Sequence, residues 1–80
     1  MDHYTPQEVA GKVAAAVLAS PLSKRAVAEA AGIPATTFQR KLKGATEFHF
    51  SELLRLAEVL GVHPSKLAPS AFLPSMAVAA

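Results

Sequence analysis

The stretch Ser23–Gly44, SKRAVAEAAGIPATTFQRKLKG, decides how this chain is read. It holds two short helix-forming runs separated by Gly32-Ile33-Pro34, and the second run has two unlike faces. Phe38 and Leu42, four residues apart, fall on one side, while Thr36, Gln39, Arg40 and Lys43 fall on the other by the i, i+3, i+4, i+7 rule. One side suits a core; the other is left for something outside. In the first run Val27, Ala28, Ala30 and Ala31 are the inward candidates. Gly32 follows where a helix C-terminus wants positive φ. Ile33 gives the turn an apolar anchor, and Pro34 restarts the chain because its fixed φ suits a helix's first turn, where its missing N–H costs nothing.

Small Ala28 and Ala31 allow the two helices to cross closely. A helix, a glycine turn and a second helix with a polar outer face form the helix-turn-helix pattern, here over residues 23–44 with a recognition helix at about 34–43. Charge points the same way. Lys24, Arg25, Arg40, Lys41 and Lys43 against Glu29 alone give this stretch +4, while the whole chain is only +2, so the remainder is net acidic. A basic patch confined to one supersecondary unit is the footprint of a module that sits on phosphates; the same charges are also compatible with a merely solvated face.

Outward from this stretch the reading is all-α. Thr5-Pro6-Gln7-Glu8 fits a capping box with Thr5 as N-cap, and Val9, Val13, Ala16 and Val17 form an apolar stripe ending near Ala19, before Ser20-Pro21. His3 and Tyr4 precede it as a short arm or a frayed end. Beyond Gly44, residues 45–49 read as a loop, with Phe48 and Phe50 expected to close one side of the core. A helix from about Phe50 to Leu60 turns Leu53, Leu56, Ala57 and Leu60 inward and Ser51, Glu52, Arg55 and Glu58 outward, and Gly61 stops it. Val62 tucks in, a last turn starts at His63 or Pro64, and Leu67 anchors that turn. The domain therefore spans residues 1–67.

Residues 68–80 form an uncharged tail with Pro69 and Pro74. Phe72, Leu73, Met76 and Val78 would expose much apolar surface there if left in water, so the readings are a tail that folds back on its own domain or stays disordered, and one that meets a second copy as a dimer contact.

Eighty residues without cysteine make one small domain with neither disulfides nor thiolate metal sites. No apolar run approaches the roughly 18 residues of a membrane span, and MDHYTPQE lacks the basic start of a secretory signal, so a cytoplasmic location is expected. There is no glycine-rich phosphate loop, no paired carboxylates and no cysteine nucleophile. His3, His49 and His63 lack metal-ligand spacing. An enzyme, a cofactor, a bound metal and a small-molecule ligand are not expected.

LSKRAVAEAAGIPATTFQRKLKG followed by LLRLAEVLGVHPSKL resembles the Cro and phage-repressor type of helix-turn-helix domain, the lambda-repressor-like fold. The resemblance covers roughly Leu22–Leu67, and the AEAAGI turn and LAEVLGV helix end are its most specific parts. It implies a compact four- to five-helix domain and a transcriptional repressor, of phage or prophage origin, that occupies a double-stranded DNA operator as a homodimer.

It also implies site residues. Ala35, Thr36, Gln39 and Arg40 become the base contacts. Arg40 can fork onto guanine O6 and N7, or grip a phosphate; the methyls of Ala35 and Thr36 suit thymine; Gln39 can pair with adenine, or stay solvated. Lys24, Pro34, Lys41, Lys43 and Thr46 become the phosphate contacts, which position without specifying. The sequence departs from the family where Pro34 replaces a common Ser or Thr, Ala35 a longer polar side chain, and Lys24-Arg25 a frequent Gln-Glu. Few direct base contacts are implied, with DNA shape sharing in specificity. The competing reading is a helix-turn-helix used as a protein-interaction module, such as an antitoxin or anti-repressor.

Overall fold

The computed structural model describes residues 6–68, and these form four α-helices and one short 3-10 turn with no strand among them. They are α1 (Pro6–Ala19), α2 (Lys24–Ala31), α3 (Ala35–Leu42) and α4 (Phe50–Leu60), followed by the turn Pro64–Lys66. An all-α domain of four to five helices is expected from the sequence, and the described residues form an all-α domain with four α-helices. Thr5, His3, Tyr4 and the tail residues Phe72, Leu73, Met76 and Val78 lie outside the described residues.

Each helix forms where its apolar period and its stop signals agree. Along α1, Val9, Val13 and Val17 recur every four residues and are all buried, with Ala10 beside them. The Ser23 hydroxyl caps α2 by accepting the Ala26 N–H at 3.1 Å, which satisfies one of the donors a helix start leaves open. At the other end Ile33 N–H reaches the Ala28 carbonyl at 2.9 Å and Gly32 N–H the Glu29 carbonyl at 3.1 Å. This paired closure is the Schellman motif. It recurs after α3, with Ala45 on Arg40 and Gly44 on Lys41, and after α4, with Val62 on Ala57 and Gly61 on Glu58. In each case the residue after the glycine is carried back toward the helix it has just left.

The core gathers Val13, Val17, Val27, Ala28, Ile33, Phe38, Phe48, Leu53, Leu56 and Leu67, with Leu42, Leu60 and Val62 packed partly buried against it. Phe38 and Phe48 meet edge to face, ring centroids 6.0 Å apart at 69°, the geometry that the ring quadrupoles favour. Leu67, fully buried, pins the final turn, and Ala68 is also buried. The Ala68 carbonyl accepts the Lys12 ammonium at 2.8 Å, which ties this end of the domain to α1.

Phe50 departs from expectation. It is 62% exposed, alongside Leu54 four residues on at 42%. The helix begins at Phe50, so its side chain lies on the same outer edge of α4 as Leu54, and Phe48 alone fills the slot in the core.

Two glycines make opposite predictions. Gly44 sits at φ +80, and an added methyl would come within 3.0 Å of the Gln7 side chain, whose amide donates to the Gly44 carbonyl at 3.4 Å. Gly44→Ala should therefore cost about 1–2 kcal/mol of unfolding free energy. Gly11 is in mid-helix with open space around it. Gly11→Ala should stabilise by about 0.5–1 kcal/mol. Urea denaturation of the two variants checks both signs.

Candidate nucleic-acid interface

Among the described residues α1, α2 and α4 hold α3 in place, and its outer face is left bare. Its first turn follows Pro34, whose carbonyl accepts the Phe38 N–H at 2.8 Å, while Pro34 itself offers no side-chain cap. Phe38 is buried on the inner side; Ala35, Thr36, Gln39, Arg40 and Lys43 are exposed on the outer side. The outward residues anticipated from helical spacing thus share one exposed surface.

Recesses on either side of α3 show what is adjacent to it. One is lined by Lys24, Arg25, Ala35, Phe38 and Gln39, so the start of α2 stands beside the start of α3. The other is lined by Thr37, Arg40, Lys41, Thr46, Glu47 and His49, which sets Arg40 opposite the α3–α4 loop. Lys24 and Thr46, from separate segments, therefore flank the same helix. Lys24, Arg25, Arg40 and Lys43 form no ion pair among the described residues. Their charge is directed to solvent.

Lys41 must be removed from the phosphate contacts. Only 6% exposed, it faces inward three residues after Phe38, and its ammonium bonds both carboxylate oxygens of Glu52 at 2.6 and 2.8 Å. A buried cation committed to both oxygens of a half-buried carboxylate cannot also clamp a phosphate. Burial alone would raise the Glu52 pKa, but the hydrogen bonds from Lys41 and the His49 backbone N–H, with the charge of Lys41, outweigh it and hold the carboxyl below its usual value. The His49 N–H donates to Glu52 at 2.7 Å, so one carboxylate closes the start of α4 and anchors α3 together.

Spacing alone missed several residues. Helical spacing turns Glu52 outward, whereas its carboxylate meets the Lys41 ammonium. Arg55, also placed outward and indeed exposed, nevertheless donates Nε to the Ala31 carbonyl at 2.8 Å, filling an acceptor that the end of α2 leaves open and setting a cation at its negative pole. Thr37, half-buried, lines the cleft with Arg40. Its position three residues before Arg40 was the available signal.

The sequence from residue 8 to residue 69, well over half of the chain, matches the family model described as a helix-turn-helix domain. The chain belongs to the helix-turn-helix domain family. A DNA-binding domain is the coarse function this membership carries. No curated protein and no solved structure matches it. Among the described residues no helix is long and apolar enough to cross a membrane, and no group of three or more His, Asp or Glu could hold a metal ion.

Proposed function

We propose that this helix-turn-helix protein is a sequence-specific regulator of transcription, a repressor of the Cro and phage-repressor type that occupies a double-stranded DNA operator and excludes polymerase. The observation that carries this reading is the bare face of α3, where Thr36, Gln39, Arg40 and Lys43 stand exposed between the flanking residues Lys24 and Thr46. In this reading α3 enters the major groove. Arg40 forks onto a guanine, Ala35 and Thr36 offer methyls to thymine, and Gln39 faces an adenine. Lys24 and Lys43 hold the backbone on either side, with Pro34 and Thr46 as lesser contacts. The protein acts without catalysis or a cofactor, in the cytoplasm of a bacterium or of a phage-infected host. Two copies bind two half-sites a helical turn apart, with Phe72, Leu73, Met76 and Val78 as the dimer contact.

The division between reading and clamping is testable. Arg40→Ala should weaken binding to the preferred site by about 1–3 kcal/mol and leave random duplex nearly unaffected. Lys43→Ala should weaken both equally and reduce the salt slope by about one unit. Fluorescence titrations over a salt series distinguish them, and equal losses on both duplexes in both variants would contradict the assignment. A second reading, a protein-interaction module such as an antitoxin or anti-repressor, is favoured by the exposed Phe50 and Leu54 on α4. If no duplex is preferred, this second reading takes precedence.

A further inference from the structure

The Lys41–Glu52 pair sits behind the exposed face yet touches both walls of the cleft beside it. Lys41 follows Arg40 directly on α3, and Glu52 belongs to the first turn of α4 and holds the His49 N–H at the end of the α3–α4 loop. The Lys41 ammonium also lies 6.0 Å from the ring centroid of Phe48, the loop's apolar anchor. The segment carrying Lys43 and Thr46 is thus fastened to α3 at its far end by one carboxylate. Stability does not require charge here, because well-packed apolar residues commonly replace a buried pair at no loss. A two-oxygen, charge-assisted bond adds direction, which apolar contact lacks.

We propose that Lys41 and Glu52 are positioning residues for DNA recognition, their bond fixing the spacing between Arg40 and Thr46 across the cleft these residues line. The pair touches no DNA itself. It sets whether a base contact from α3 and a backbone contact from the loop are met together. This inference rests on the DNA-binding reading and refines it, since it concerns the ratio of specific to non-specific affinity.

Two variants leave the net charge unchanged. Lys41→Met/Glu52→Gln removes one charge of each sign and keeps an acceptor for the His49 N–H. Glu52→Asp keeps both charges but draws the carboxylate back by one methylene. Each is titrated against the duplex that the wild-type chain selects from a random pool, and against a scrambled duplex, over a salt series, with thermal melts confirming the fold. Affinity for the selected duplex should fall about tenfold, the size of one misaligned base contact, while scrambled-duplex affinity and the salt slope stay within about twofold of wild type. Selected-duplex affinity within about twofold of wild type in the folded variants overturns the proposal. If the double variant does not fold, Glu52→Asp decides alone. A wild-type chain that selects no duplex overturns the DNA-binding reading itself, and that failure is visible before any variant is made.

Discussion

Phe38→Ala is expected to destabilise the domain by about 3–5 kcal/mol, the cost of emptying an aromatic site that cannot collapse. Phe38 is 1% exposed, packs edge to face on Phe48, and lies in the cluster with Val27, Ile33 and Leu56. The cluster it belongs to draws buried residues from α1, α2, α4 and the loop, so relaxation into the space would have to move several elements at once. The loss is large against the total stability of about 5–15 kcal/mol that domains possess. Because Phe38 is also the main apolar attachment of α3, DNA affinity should fall both with the folded fraction and with the seating of the helix. Urea denaturation measures the first effect. A loss below about 1 kcal/mol would mean that α3 is not seated through this ring.

Glu52→Leu is the second large effect, expected at about 3 kcal/mol. It leaves the Lys41 ammonium, 7% exposed, without a counter-charge, and the His49 N–H without its acceptor. Removing the cation too, as Lys41→Met/Glu52→Gln, should recover most of that loss, because the penalty lies in the unpaired buried charge. Acid should act as the substitution does. The folded-state pKa of Glu52 is lowered despite burial, through the bonds from Lys41 and the His49 N–H and the charge of Lys41. A depressed carboxyl contributes stability above its unfolded value of about 4.3, and loses it as pH falls below that value through the folded one. Denaturation from neutral pH into this acid range should show a fall in wild type that is smaller in the double variant. Parallel curves for the two proteins would remove Glu52 from the acid response.

Much of the fold was legible because apolar period and stop signals coincide. The Val9-Val13-Val17 stripe and glycines 32 and 61 at two helix ends each act locally, and local rules read them correctly. The bare face of α3 was legible for the same reason. Long-range partners were not. Lys41 occupies a place that helical spacing left ambiguous, and the tendency of lysine to stay in water argued for the surface. Only the arrival of Glu52 from α4 makes its burial affordable. Arg55 bonding a carbonyl 24 residues earlier, and Phe50 being turned out by the helix that it begins, depend equally on where α4 docks. No residue near them in sequence reports that.

Selection of bound duplexes from a random DNA pool, using the 80-residue chain at near-physiological salt, decides whether the protein reads a DNA sequence. An enriched motif is expected, with an inverted repeat of half-sites about 10 bp apart if two copies bind together. Recovery of random sequence, with only weak binding that vanishes as salt rises, would contradict it.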